Sequence, residues 1–349
     1  MISDFKLKGP WRITFDTNPD QCNINCIMCE EHSKFNQKIS EKKRVMDFIL
    51  IERVLKGAVN HGLKEVIPST MGEPLLYSEF ERFIDLIKKF NLKLNLTTNG
   101  TFPRLGVDKW GELILPIASD VKISINGASK KVAESIMTGL NYEKQMQNIR
   151  KFIQIRDKIR KSGINYPTIT FQVTYMEGNL TELPNLLKLA IEMDIDRLKG
   201  HHLWITHPEV EKESLRRNNE IILRWNEIAM ELKDIAKNSR LKNNKSIQLD
   251  NVYDLSELSD DSLLPKDFIC PFLGREAWIA WDGTFNVCCA PDDLRKTLGY
   301  YGRVTNSDFM NLWKSPKYND LVSNWGDYDV CKKCNMRRPL SECGGHLIE

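Results

Sequence analysis

Nine cysteines decide what chemistry this 349-residue chain can do, and they fall in two places. The first is NPDQCNINCIMCEEHS, residues 18–33, where Cys22, Cys26 and Cys29 are spaced C-x3-C-x2-C. Three thiolates in one tight loop, with no fourth cysteine nearby, suit a cubane iron–sulfur cluster whose fourth iron takes no protein ligand. Two other readings of the spacing stay open. One is a tetrahedral zinc site completed by His32; the other is buried thiols packing as small apolar groups.

The remaining cysteines, Cys270, Cys288, Cys289, Cys331, Cys334 and Cys343, lie in the last 80 residues. CPFLGREAWIAWDGTFNVCC reads as a cysteine, an apolar strand, an Asp-Gly turn and a returning strand, which brings Cys270 and Cys288 together. VCKKC adds a C-x2-C knuckle through Cys331 and Cys334. Four sulfur ligands so assembled fit tetrahedral zinc or a second iron–sulfur cluster, and spacing does not separate the two. Cys343 could replace one of the four. Cys289 has two readings: a hydrogen-atom donor to a substrate radical, or a structural residue pointing away because strand neighbours alternate.

These groups need a frame. Strands are expected at Trp11–Asp16, Glu65–Ser69, Lys93–Thr98, Val121–Ile125, Thr168–Tyr175 and Arg197–Leu203. Between them apolar residues recur at helical spacing: Phe48, Ile51, Val54, Leu55 and Ala58; then Phe80, Phe83, Ile84, Ile87 and Phe90. Met146, Ile149 and Ile153 follow, and Leu183, Leu186, Leu187, Ala190 and Ile191 mark another helix. Asp47 and Thr181 are the expected N-caps. Six βα units predict an α/β fold with a parallel sheet, either an incomplete barrel or a doubly wound sheet. The first cysteine loop directly follows the first strand, at the sheet edge where such folds place their sites. Ile221, Ile222, Trp225, Ile228, Ala229 and Leu232 predict a further long helix, and SELSDDSLLPKD reads as a linker.

Composition narrows the partners. Fifty basic against 47 acidic side chains give a net charge of +3, too little to argue for nucleic acid or an anionic membrane. There is neither a spanning apolar run nor a secretory signal, so the chain reads as cytoplasmic. Nine cysteines in a reducing compartment point to metal or redox chemistry rather than disulfides.

With its first cysteine loop, MGEPLL (71–76), TTNGT (97–101) and SINGASKKVAESIMTG (124–139), the chain resembles the radical S-adenosylmethionine (SAM) superfamily. The resemblance implies a partial (β/α)6 TIM-like barrel over residues 1–205 and a helical connector over 206–266. Residues 267–349 resemble the small β-hairpin/α auxiliary-cluster domain of SPASM or twitch type. It further implies that Cys22, Cys26 and Cys29 hold a 4Fe–4S cluster, whose unique iron is chelated by the amino and carboxylate groups of SAM. One electron then splits SAM to methionine and a 5′-deoxyadenosyl radical, which removes hydrogen from a substrate C–H bond. Gly72 and Glu73 would line the methionine moiety, with Ser124 and Gln172 as polar contacts to SAM. Cys270, Cys288, Cys331 and Cys334 would hold one auxiliary 4Fe–4S cluster. The chain departs from the family at Met28, usually aromatic; at Met71, for the first glycine of GGEP; and at Thr138, where many relatives have arginine.

The resemblance makes the expected function oxidation or rearrangement of a small sugar-, cyclitol- or nucleoside-like intermediate, with a flavodoxin or ferredoxin as reductant. The alternatives are a maturase or epimerase of a ribosomally made peptide and, from another class, a zinc-structured binding protein. The early first strand leaves no room before it for a leader-binding module, which lowers the peptide reading. Among His201, His202, Trp204 and His207 after the sixth strand, His202 is the candidate acid–base group. Arg216 and Arg217 read as a solvated helix face, or as contacts to an anionic substrate.

Overall fold

The computed structural model describes residues 8–36, 43–69, 71–161, 167–256, 268–334 and 336–339. Cys343 and most of the expected linker lie outside them. The six β-branched runs form parallel strands β1 (Arg12–Phe15), β2 (Glu65–Ile67), β3 (Lys93–Thr98), β4 (Ala118–Ser124), β5 (Thr168–Tyr175) and β6 (Arg197–His202). The intervening helices are α1 (Phe48–Ala58), α2 (Phe80–Lys89), α3 (Gly106–Ile114), α4 (Lys130–Ile136), α5 (Tyr142–Lys161) and α6 (Leu183–Glu192). All but α4 bury their apolar residues in the main core with the sheet; in α1 that is the whole set Phe48, Ile51, Val54, Leu55 and Ala58.

Asp47 caps α1, its carboxylate accepting from the Ile49 amide at 2.9 Å. Thr181 is not an N-cap. It closes a one-turn helix, Glu177–Leu180, and Glu182 stands at the start of α6. The Glu182 carboxylate instead accepts from the Ala128 amide at 2.8 Å and the Ser129 amide at 3.1 Å, tying α6 to the start of α4.

Residues 206–266 do more than connect. Their long helix α7 (Asn219–Asn238) buries Ile221, Ile222, Trp225, Ala229 and Leu232, and leads to β7 (Gln248–Asp250), which pairs parallel with β6. The C-terminal hairpin, β8 (Glu276–Ile279) and β9 (Phe285–Asn286), joins the same sheet, because β8 pairs parallel with β1. The strand order is therefore β9-β8-β1-β2-β3-β4-β5-β6-β7.

The face turned away from the helices is polar. Arg12 bridges Glu65 on β2 and Glu276 on β8, the latter at 2.7 Å. Asn95 donates to Glu65 at 3.0 Å, and Lys122 donates to Asn95. Across the sheet, Arg197 pairs with Asp120 and with Asp250 at 3.4 Å. These residues cluster toward the strand N-termini, so the polar floor lies at the opposite end from the first cysteine loop. Arg12 is the tie between the hairpin and the barrel. Replacing it by Ala leaves Glu65 and Glu276 buried without their cation, and should lower unfolding stability by about 3 kcal/mol. Urea unfolding tests this; a loss within experimental scatter would remove Arg12 from that role.

Candidate active site

The first cysteine loop leaves the C-terminal end of β1 and is held from three sides. Asn25–Cys26 pairs antiparallel with Met137–Thr138, just past α4, and the Ile27 amide donates to the Ile136 carbonyl at 2.9 Å. Ile24, Ile27 and Met28 pack with Ile136, Met137 and Leu203 in an apolar cluster separate from the main core. The 124–139 stretch thus folds into a buttress for the loop. From the segment after β6, Thr206 donates to the Met28 carbonyl at 3.4 Å and His207 hydrogen-bonds the Cys29 carbonyl at 3.1 Å. His32, the alternative fourth ligand, hydrogen-bonds the Pro19 carbonyl through Nε2 at 2.7 Å.

The third side is the GEP stretch. Gly72 has φ +76°, and a Cβ there would lie 2.3 Å from the Asn18 carbonyl oxygen and 2.8 Å from that of Gln21. Only glycine allows this approach. The Glu73 amide donates to the Gln21 carbonyl at 2.7 Å, and Asn18 Nδ2 donates to the Glu73 carbonyl at 2.9 Å. The Glu73 carboxyl is buried and accepts from Thr98 Oγ1 at 2.9 Å, the Asn99 amide at 2.8 Å and the Leu75 amide at 3.2 Å. Burial pushes its pKa up to about 7 against these three donors. Asn99 then reaches Asn23 at 2.9 Å and Cys22 Sγ at 3.9 Å. Thr98 and Asn99 thus link the GEP stretch to the cysteines, although the sequence marks them only through TTNGT.

Burial raises the pKa of all three loop thiols, that of Cys22 to about 11. None is in a disulfide. Three desolvated, softly donating sulfurs without a nearby cation become thiolates when a positively charged iron centre draws off their protons, which is the donor set an iron–sulfur cluster requires.

The second centre is a small pocket lined by Cys270, Cys288, Cys289, Cys331 and Cys334 with apolar neighbours such as Leu273, Val287 and Trp325. The four expected ligands do converge, from a hairpin and from a knuckle opened by the turn Asp329–Lys332. Cys289 departs from the expectation that it points away. The returning strand ends at Asn286, so alternation does not govern residues 288 and 289, and both line the cavity. Cys289 hydrogen-bonds Cys288, which lowers the pKa of Cys288 and, with burial, raises its own. One hydrogen bond joins the segments that follow the two sets of thiols: the Asp292 amide donates to Glu30 Oε1 at 3.1 Å.

The other candidates separate by strand alternation. Ser124 and Gln172 are register neighbours on β4 and β5, on the polar face. His201 joins them there, 3.3 Å from Gln172 Nε2 and 3.3 Å from Thr174 Oγ1, its pKa held down at about 4 by burial. His202 does not face this space. It points to the helix layer among Trp225 (4.8 Å between ring centres), Tyr175 (5.4 Å) and Tyr253 (6.0 Å), and burial keeps it neutral. Arg217 pairs with Glu177, whereas Arg216 is half-buried, with its Nε and Nη2 atoms out of solvent.

A parallel sheet whose first strand is followed by a loop of three thiols, with a second set of thiols on a hairpin at its edge, is the arrangement expected of radical SAM proteins. Two family descriptions match: the radical SAM superfamily over residues 19–190, and the SPASM iron–sulfur cluster-binding domain over 270–335. The chain belongs to the radical SAM superfamily and carries a SPASM-type domain, so its cofactors are 4Fe–4S clusters and SAM. Over 342 residues it is 22% identical to the tungsten-containing aldehyde ferredoxin oxidoreductase cofactor-modifying protein of Pyrococcus furiosus, covering 91% of this chain and 85% of that one. It is 25% identical over 182 residues to a probable GTP 3′,8-cyclase of Pyrococcus horikoshii, covering 50% and 55%. It shares its fold with Streptococcus suis SuiB bound to precursor peptide SuiA (TM-score 0.65, 14% identity, 94% of this chain and 70% of that one). It also shares the fold of anSMEcpe with bound AdoMet (TM-score 0.64, 15% identity, 94% and 89%). Among the described residues no helix is long and apolar enough to cross a membrane.

Two substitutions test the two centres separately. Gly72→Ala should displace residues 18–21 and weaken SAM binding by at least about tenfold, as a cost of roughly 1–3 kcal/mol for overpacking implies; equilibrium binding to the reconstituted protein reads this. Cys331→Ala should remove about one cluster's worth of iron while leaving SAM binding intact, because the ligand sets sit on separate elements. Unchanged iron content would contradict the assignment.

Proposed function

We propose that this enzyme removes hydrogen from a C–H bond of a small organic molecule and passes a second electron from the substrate radical to the auxiliary cluster, a net oxidation. The observation that carries this reading is that Cys270, Cys288, Cys331 and Cys334 line one pocket, on a hairpin whose strand β8 pairs with β1, the strand that leads into the first cysteine loop. A second cluster there would be the electron acceptor that a two-electron oxidation needs.

When bound, the first cluster and SAM together supply a 5′-deoxyadenosyl radical, at the expense of one electron from a reductant such as flavodoxin or ferredoxin. The substrate gives up a hydrogen atom to form 5′-deoxyadenosine, then one electron to the auxiliary cluster and one proton to solvent. Gly72 and Glu73 present backbone groups to the methionine end of SAM, and Glu73 is itself fixed by its three donors. Ser124 and Gln172 offer polar contacts on the inner face, where Gln172 Oε1 is buried without a partner. Neutral His201 stands beside them, its Nδ1 accepting from Gln172 Nε2 at 3.3 Å and so fixing the orientation of that amide.

The small-molecule reading is supported by the curated relatives, one named for modifying a cofactor and the other for cyclising GTP. A second reading, modification of a peptide, is favoured by the likeness in fold to SuiB with its precursor peptide and to anSMEcpe with bound peptide.

Cys26→Ala should abolish 5′-deoxyadenosine formation from SAM under strong reductant while the auxiliary iron remains. Continued formation would refute the radical mechanism at this loop. If the reaction is instead redox-neutral with Cys289 as hydrogen donor, product made in heavy water would carry deuterium, and Cys289→Ala would stop that uptake.

A further inference from the structure

Charges on the inner face of the sheet are unevenly matched. Arg12 holds Glu65 and Glu276, and Arg197 holds Asp120 and Asp250, so two guanidiniums take four carboxylates. Glu65 accepts in addition from Asn95 at 3.0 Å and from Ser119, and Asp120 from Thr170 at 2.8 Å. Lys122, one inward position along β4 from Asp120, is left with a neutral partner. Its ammonium donates to Asn95 Oδ1, and among the described residues no carboxylate stands within ion-pair distance of it. An ammonium has three N–H donors, so two have no protein acceptor here. Burial lowers the Lys122 pKa to about 8, which still leaves the charged form in the majority at neutral pH. A buried cation without a counter-ion carries a desolvation cost that a bound anion would offset.

The position of Lys122 matters as much as its charge. It lies one inward step below Ser124, about 6.6 Å along the strand. Ser124 is in register with Gln172, and Gln172 with Lys199. Lys199 is the second ammonium of this face, 3.8 Å from an Asp250 carboxylate that Arg197 already holds at 3.4 Å. Gln172 Oε1 and, on β1, Thr14 Oγ1 are buried without a partner. Solvent reaches this face although β3 to β6 are central strands with helices behind them. Thr97, Ser124, Gln172 and His201 are half-buried, and the Lys199 side chain is 30% exposed.

We propose that Lys122, with Lys199 beside it, seats a carboxylate or phosphate group of the substrate, so that the molecule oxidised is a small organic anion gripped by its charged end. This deepens the small-molecule reading and rests on it. The anion would sit one layer below Ser124 and Gln172, the residues proposed to face SAM. A separation of about 6.6 Å places a carbon a few bonds from the charged group at the level of those two side chains. Gln172 Oε1 is an acceptor and Thr14 Oγ1 a hydroxyl, and both suit the hydroxyl or amino groups of such a molecule.

The test is equilibrium dialysis of the anaerobically reconstituted full chain against inorganic phosphate and, separately, malonate, with SAM present to cover the open iron of the first cluster. The wild type should bind one equivalent of at least one of these anions, and the tighter of the two tells a phosphate-bearing substrate from a carboxylate. Lys122→Met should weaken that binding at least about tenfold, the scale of a lost hydrogen bond between charged groups. Exposed Lys144, changed to Met, should leave it unaltered. Should Lys122→Met fail to fold, Lys199→Met decides, with a loss expected and undiminished affinity overturning the proposal. A wild type that binds neither anion, or a folded Lys122→Met variant that binds as tightly, also overturns it. Anion binding needs no radical, so the two readings fail separately. A wild type that forms 5′-deoxyadenosine yet binds neither anion sinks this inference alone. Binding lost in Lys122→Met, without any 5′-deoxyadenosine formation by the wild type, sinks the reaction and keeps the anion site.

Discussion

Strand β8 lying parallel against β1 is the constraint on which the site depends. Its register runs from Arg12 opposite Glu276 to Phe15 opposite Ile279, with the Trp11 amide donating to the Arg275 carbonyl at one end and the Asp16 amide to the Ile279 carbonyl at the other. Arg12 adds a charge-assisted tie across the same pair. The strand that carries the SAM-binding loop is thereby welded to the hairpin that carries the second set of thiols. The two sets of thiols are thus tied to neighbouring strands of one sheet by ordinary sheet hydrogen bonds.

Within that frame the first loop is pre-organised by neighbours that contain no ligand. Gly72 lets two backbone segments touch, Glu73 gathers three donors, and Asn99 carries the network on to Asn23 and Cys22. The loop is thus fixed by groups other than its thiols, whose pKa values burial raises. Ordering a loop beforehand removes an entropic cost that cluster assembly would otherwise carry.

Much of this was legible in the sequence because it is local. Strands β3 and β5 begin and end where β-branched runs do, and the helical stripes of α1 and α2 are buried as spaced. Cysteine spacing marked the first loop, whose thiols are a few residues apart, whereas Cys270, Cys288, Cys331 and Cys334 come to one pocket only through the hairpin and the knuckle. What escaped is set by distant contacts. A three-residue strand such as β7 has too short a run to show periodicity, and nothing local says that β8 will pair with β1 rather than stand apart. Alternation correctly assigns His201 and His202 to opposite faces, but which face bears the helices is decided by the whole sheet. It misleads at Cys289 because the strand has already ended.

The account turns on one cluster having a coordination position that no side chain fills and the other having none to spare. Electron–nuclear double resonance on the reduced protein, with SAM isotopically labelled in its carboxylate, addresses this directly. The prediction is strong coupling of the label to one of two distinguishable iron–sulfur signals and none to the other. Coupling to neither signal, or to both, would contradict it.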